Sequence, residues 1–284
     1  RGGADGLFHE FQGIEIVKNL YKLNFYDAFR GGEDVYYFMP GLRYFLGISK
    51  IIFGDTSYGY VIIGFLLPIF LFELFKNLIS EKISFFILIS FLVIPIFENM
   101  GFGHFNYIHQ IVRNHAETLS ITIIVVCLAR ISSSEFSIKL NYINVFFYCF
   151  LLSFATFCRP NYLPTTTIIF LYIFYLSLNK NYIFCFIGVF GYSFVLLGLY
   201  HNIYFGNELS LFTRSNVHFV FNDIFHSLNN SLENNVVINQ LLKWNPLYFI
   251  HRLIILLLVI LFFLINKKNL IIYVLFLSAT AQHI

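Results

Sequence analysis

Residues 182–200 read YIFCFIGVFGYSFVLLGLY, a stretch without a single charged side chain. A helix that crosses a bilayer needs about 20 mostly apolar residues, since each residue advances it by about 1.5 Å. Within lipid the backbone must satisfy its own hydrogen bonds, which a helix does and an isolated extended segment does not. This stretch therefore predicts a transmembrane helix.

Hydropathy identifies further apolar segments on both sides of this one. The full set lies at residues 59–75, 83–97, 111–129, 142–157, 163–178, 182–200, 247–265 and 270–284. Several of them are shorter than a full span, so we expect some to be tilted or to form paired half-length helices. The pattern predicts an all-α, polytopic membrane protein.

The composition agrees with this prediction and excludes other classes of protein. Hydrophobic residues make up 58% of the chain and charged residues only 12%, and the mean hydropathy is +0.74. Soluble domains carry about 25% charged residues, so a soluble enzyme is excluded. The net charge of +3 is too small for a nucleic-acid partner. Because the chain starts in a polar stretch at Arg1 and ends in an apolar one at Ile284, we expect a membrane helix before it and more chain after it.

The loops between the apolar segments predict an orientation. Among the short turns, those on one face carry seven basic residues: Lys76, Lys82, Arg130, Lys139, Lys180, Lys267 and Lys268. The short turns on the opposite face carry only Arg113 and Arg159. Positively charged loops remain in the cytoplasm, so we expect the second face to be the outer one. A bacterial inner membrane with a periplasmic active face is the preferred location, and the endoplasmic reticulum with a lumenal face is the alternative.

This orientation divides the chain into two regions. Residues 1–58 form a first outer loop, and residues 59–284 form a multi-helix transmembrane domain with an outer loop at 201–246. Apolar residues at helical spacing over 7–21 predict one interfacial helix in the first loop. A second helix is expected to open at Pro40, because proline suits the first turn of a helix.

Three short motifs follow one another in the first outer loop: Asp5, then Tyr36-Tyr37-Phe38-Met39-Pro40, then Phe53-Gly54-Asp55-Thr56-Ser57. This order resembles the first outer loop of polytopic GT-C glycosyltransferases, a class that includes protein O-mannosyltransferases and the aminoarabinose transferases of lipid A. Those enzymes usually carry a pair of acidic residues at this position, whereas Asp5-Gly6 keeps only one carboxylate. Glu117, in Arg113-Asn114-His115-Ala116-Glu117, resembles a further acidic residue of the class at the start of a later span.

The resemblance implies a GT-C-like transmembrane core and a sugar donor linked to polyprenyl phosphate. The acceptor would be a glycan, a lipid or a protein on the outer side of the bilayer. Asp5 would act as the general base for an acceptor hydroxyl, and Glu117 would position acceptor or sugar hydroxyls. The substrate-binding residues of this hypothesis are Tyr37, His9, Arg113, His115 and Arg159. From the local sequence alone, a helix cap is the favoured interpretation of Asp5.

Arg159 is the preferred partner for the leaving phosphate. It lies between two apolar runs, where a charged side chain is costly unless it has a partner or a function, and arginine forms paired hydrogen bonds with phosphate oxygens. An interfacial arginine that extends to lipid headgroups is the open alternative.

A turn rich in histidine raises the question of a metal. His104, His109 and His115 lie between Glu98 and Glu117, but their spacing matches no zinc pattern. We therefore predict no metal site and no definite cofactor, and leave a divalent metal open.

Other functions remain as alternatives to the glycosyltransferase. A transporter or flippase would place charged residues in mid-membrane and often shows repeated halves, whereas no repeat is visible here. A polymerase or ligase of lipid-linked glycans would depend less on Asp5. A structural membrane subunit without activity is the third alternative.

Overall fold

The computed structural model describes residues 4–31, 40–93, 111, 114–133, 140–206 and 274. Within these residues the chain forms α-helices and no strand. The helices are α1 (Ala4–Tyr21), α2 (Phe25–Arg30), α3 (Gly41–Phe53), α4 (Tyr58–Leu78), α5 (Glu81–Val93), α6 (Ala116–Ile131), α7 (Tyr142–Cys158), α8 (Leu163–Leu178), α9 (Tyr182–Tyr192) and α10 (Val195–Gly206). A 3-10 turn at Pro160–Tyr162 leads into α8. The all-α prediction is confirmed for the described part of the chain.

Three helical segments are long and apolar enough to cross a membrane, namely Tyr58–Leu78, Pro160–Leu178 and Tyr182–Phe205. The last of these contains α9 and all of α10 except Gly206, and it extends beyond the predicted segment 182–200. Residues 201–206 of the predicted outer loop 201–246 are therefore helical. The rest of that loop and, apart from Val274, the two last predicted segments lie outside the described residues.

Local sequence explains several helix ends. Asn24, Asn141 and Asn181 precede α2, α7 and α9, and each side chain accepts a hydrogen bond from a backbone N–H of the first turn. Such caps satisfy donors that have no partner inside the helix. Pro40 immediately precedes α3, as the sequence predicts, and α1 covers the predicted helix 7–21. The short helix α2 was not predicted.

The helices pack with small polar residues inside and large apolar residues outside. Serines and threonines of α6, α7 and α8 are buried, including Thr118, Ser120, Ser153 and Thr166. Many of the largest apolar side chains are exposed instead, among them Phe65, Phe86, Ile143 and Phe186. Small polar residues allow helices to approach closely in a bilayer, where lipid covers the apolar exterior. This distribution is compatible with association with a membrane.

α7 is the central helix of the described bundle. It contacts α3, α6, α8, α9 and α10. One apolar cluster lies between α6, α7 and α8 around Leu152 and Ile169, and a second joins α3, α4 and α6 around Leu42 and Leu119. These two clusters bring the beginnings of α3 and α6 close to the end of α7.

Helices α1 and α3 lie along one another and turn polar residues inward. His9, Glu10 and Gln12 of α1 are buried, whereas Leu7 and Phe11 on the predicted apolar stripe are exposed. The apolar stripe of α1 therefore faces away from the protein. Such an orientation is favourable where lipid, and not water, covers the outer face.

Candidate functional site

Three of the residues singled out from the sequence meet where α6 begins and α7 ends. Arg159 Nη2 lies 2.7 Å from Glu117 Oε1, and His115 Nδ1 lies 3.9 Å from Glu117 Oε2. All three side chains are between one fifth and one third exposed. We call His115, Glu117 and Arg159 the Glu117 cluster.

The start of α6 determines the position of Glu117. Asn114 has a left-handed backbone with φ of 55°, and His115 is extended before the helix begins at Ala116. Glu117 consequently lies in the first turn of α6. The partial positive charge of a helix N-terminus favours a carboxylate at this position.

The end of α7 positions Arg159. Its backbone is extended, with φ of −145° and ψ of 99°, and its N–H donates to Ala155 O. Pro160 then starts the 3-10 turn, because proline cannot continue the hydrogen bonding of α7. Tyr162 is buried and within electrostatic range of both Glu117 and Arg159.

The partly exposed pair of Glu117 and Arg159 contributes little to folding, since exposed ion pairs are worth about 0 to 1 kcal/mol. Its chemical value is that it fixes a guanidinium beside a carboxylate. A guanidinium binds phosphate oxygens in a planar fork, and a carboxylate accepts hydrogen bonds from hydroxyl groups. The cluster therefore has the groups needed to bind a phosphate and a hydroxyl side by side.

Lys50 forms a second charged cluster that sequence reasoning missed. Its Nζ atom lies 3.3 Å from Glu10 Oε1 and 2.5 Å from Asp55 Oδ1. The side chains of Lys50 and Glu10 are at most one tenth exposed, whereas Asp55 is 66% exposed. The three residues join α1, α3 and the turn before α4.

A narrow polar cavity of about 10 Å³ adjoins Lys50. Its lining includes Ser49, Thr56, Ser57, Tyr60 and Asn114. The cavity is the size of one water molecule. Asn114 therefore connects the two clusters, because it lines the cavity beside Lys50 and immediately precedes His115 of the Glu117 cluster.

A third polar cluster closes the end of α2. Arg43 Nη1 donates to Gly31 O at 2.7 Å, and the Tyr44 hydroxyl donates to Phe29 O. His201 Nε2 lies 3.1 Å from the carbonyl oxygens of both Phe29 and Arg30. These carbonyls would otherwise lack partners at the helix end, so α3 and α10 together hold α2 in place.

Replacing Tyr44 by phenylalanine is expected to lower the free energy of unfolding by about 1 kcal/mol. Burial raises the pKa of Tyr44 from 10.0 to about 12, although the Arg43 guanidinium opposes the shift. Because the pKa is higher in the folded state, the Tyr44 contribution is complete below pH 10.0 and is lost as the pH rises through about 12. Unfolding of wild type and Tyr44→Phe across this range should show the difference between them shrinking. A difference that stays constant would contradict the assignment.

The other predicted site residues are placed less fully. Asp5 belongs to the first turn of α1, but its side chain is outside the described part of the structure. His9 is buried on the same helix. Tyr37 and Arg113 lie outside the described residues, as do His104, His109 and Glu98 of the histidine-rich turn. Among the described residues, no group of three histidine, cysteine or acidic residues could hold a metal ion.

No protein-family model, curated protein or solved structure matches this chain. The fold of the described residues is a helical bundle with an apolar exterior, and its charged residues include two clusters connected through Asn114 and His115.

Proposed function

We propose that this protein is a polytopic membrane glycosyltransferase that uses a sugar linked to polyprenyl phosphate. The acceptor is a glycan, lipid or protein on the outer side of the bilayer. The supporting observation is the Glu117 cluster, in which Arg159 and Glu117 are paired at 2.7 Å. The resemblance of the first outer loop to GT-C enzymes supplies the reaction class.

In this proposal the acceptor hydroxyl attacks the anomeric carbon of the donor sugar. A new C–O bond forms, the bond from that carbon to the phosphate oxygen breaks, and the phosphate leaves with the electron pair. Asp5 takes the hydroxyl proton, and Glu117 orients the acceptor or sugar hydroxyls. Arg159 meets the negative charge on the leaving phosphate.

The remaining residues have supporting roles in the proposal. His9, on the same helix as Asp5, contacts the donor or the carboxylate, and His115 adds a hydrogen-bonding group beside Glu117. Tyr37 and Arg113 bind substrate as the resemblance implies. The inner membrane of a bacterium, crossed several times with the active face in the periplasm, is the location that the basic loops favour.

Replacing Asp5 by asparagine or Glu117 by glutamine is expected to abolish transfer in cells. Loss of a general base lowers a rate by about 10² to 10⁴, and misplacement of a reacting hydroxyl costs about 10². The full-length gene is deleted and restored with each variant at matched protein level. Mass spectrometry then quantifies polyprenyl-linked sugars and surface glycans. We expect both variants to lose a sugar from an acceptor while its lipid-linked form persists.

Glu73→Gln is the matched control for Glu117→Gln. Glu73 pairs with Arg130 at 3.0 Å and has the same 28% side-chain exposure as Glu117, but Arg130 is in the last turn of α6, about 20 Å from Glu117. The control should transfer sugar like wild type. If Asp5→Asn cells and Glu117→Gln cells both make wild-type surface glycans, the proposal is refuted. If the variants instead fail to move the lipid-linked sugar across the membrane, a flippase is favoured.

A further inference from the structure

The turn between α1 and α2 carries an unusual concentration of exposed apolar side chains. Tyr21 is 82% exposed and Leu23 is 74% exposed. Phe25, Tyr26 and Phe29 are each more than half exposed. We call residues 21–29 the aromatic turn. Contiguous exposed apolar surface of this kind marks a site of contact with a protein or a membrane.

The backbone of the aromatic turn holds these side chains outward. Leu23 has a left-handed backbone with φ of 58°, a conformation that is uncommon for a residue other than glycine. Asn24 then caps α2 and also donates to Asp27, the acidic residue of the turn. The turn is therefore a defined structure, not an extended loop.

The aromatic turn is continuous with the exposed aromatic surface at the end of α10. The ring of Tyr26 lies 5.3 Å from that of Phe205 and 6.4 Å from that of Tyr204. Tyr200 and Tyr204 are stacked and more than half exposed. Phe205 ends Tyr182–Phe205, the longest candidate membrane span among the described residues, so these rings lie where that segment would leave the bilayer. Tyrosine is enriched at this level of membranes.

Basic residues lie within and beside the aromatic turn. Lys18 is 55% exposed and shares an ion pair with Glu15, Lys22 is exposed, and Arg30 ends α2. Basic side chains next to exposed aromatic rings are typical of segments that bind anionic lipid surfaces. A protein partner would not require the rings to lie level with the end of an apolar span.

We infer that the aromatic turn inserts into the headgroup region of the bilayer, with Lys18 and Lys22 bound to anionic lipid. This inference is independent of the proposed enzymatic activity. It assigns the turn a lipid partner and sets the depth at which α1, and the Asp5 that it carries, lie relative to the membrane surface.

Tryptophan quenching tests both parts of the inference. Trp244 is the sole tryptophan of the sequence, so Leu23→Trp in a Trp244→Phe background gives a single probe in the full-length protein. The protein is placed in vesicles whose lipids are brominated either near the headgroup or near the chain end. Shallow bromine should quench Leu23→Trp at least about twofold more than deep bromine. Phe190 is exposed and lies well inside the span Tyr182–Phe205. Phe190→Trp should therefore be quenched more by deep bromine than by shallow bromine.

The same probe measures the preference for anionic lipid. In mixed vesicles, brominated phosphatidylglycerol should be enriched around Leu23→Trp over brominated phosphatidylcholine. Replacing Lys18 or Lys22 by glutamine should reduce this enrichment by about fivefold for each lysine, without changing the Phe190→Trp signal. Absence of quenching at Leu23→Trp while Phe190→Trp is quenched would overturn the inference and point to water or a protein partner. Quenching chiefly by deep bromine, or no preference for phosphatidylglycerol, would overturn it as well.

Discussion

Lys50→Met is expected to lower the free energy of unfolding by about 3 to 5 kcal/mol, the usual cost of removing one partner from a buried ion pair. The Glu10 side chain is only 10% exposed, so removal of Lys50 leaves its carboxylate buried without the ammonium group. The methionine itself keeps most of the aliphatic volume of lysine, which limits the loss of packing. Thermal or chemical unfolding of the purified protein in detergent measures the change.

Two further variants separate the electrostatic effect from a packing defect. Glu10→Gln combined with Lys50→Met removes both charges and should recover most of the lost stability, because the penalty comes from a single unpaired charge. Asp55→Asn should cost less than about 1 kcal/mol, since the Asp55 side chain is 66% exposed and water replaces its partner. If Lys50→Met costs no more than Asp55→Asn, Lys50 and Glu10 do not form a buried pair in the folded protein.

The Lys50 pair also explains why α1 turns its polar residues inward. A buried pair contributes little net stability compared with apolar residues of the same size, but a register that leaves one charge buried and unpaired is strongly disfavoured. Glu10 and Lys50 therefore discriminate against rotations of α1 that would turn its polar stripe outward. This restriction fixes the side of α1 on which His9 lies relative to α3.

The sequence predicted the helices well because their signals are local. The periodicity over 7–21 and the proline at position 40 led to α1 and α3, and the charge-free run at 182–200 led to α9 and α10. The end of α10 at Gly206 was not predicted, because the hydropathy of the sequence falls at His201 and Asn202. Both residues are nevertheless buried in the helix. The six-residue helix α2 was not predicted, because so short a helix depends on tertiary contacts. Here Arg43 and His201 provide them by contacting carbonyl oxygens at the end of the helix.

Side-chain pairing was harder to predict than helix position. Glu117 and Arg159 were both singled out, but their contact depends on how α6 packs on α7, which no local pattern encodes. Lys50 was not singled out, because nothing in the local sequence distinguishes a buried lysine from one that faces solvent. When lipid covers the exterior, the charged face of a helix turns inward instead, and composition alone does not say which solvent each face meets.

Gly41→Ala is expected to destabilise the protein by about 2 to 3 kcal/mol through overpacking. A methyl group at position 41 would lie 2.7 Å from the carbonyl carbon and oxygen of Phe157 and from the nitrogen of Cys158. These are backbone atoms at the end of α7, so no side-chain rotation relieves the contact. Either α3 or the end of α7 must move, and Arg159 follows directly after Cys158.

Gly188→Ala provides the matched control for Gly41→Ala. Its added methyl group would lie 3.4 Å from Val145 Cγ1 and 3.6 Å from Cys149 Sγ, which is ordinary contact. Alanine is also favoured over glycine within a helix by about 1 kcal/mol, so Gly188→Ala should be neutral or slightly stabilising. Hydrogen exchange measured by mass spectrometry should then show faster exchange near Arg159 in Gly41→Ala alone. Equal stability and equal exchange in the two variants would mean that α3 does not approach the end of α7 at Gly41, and α3 would then have no part in positioning Arg159.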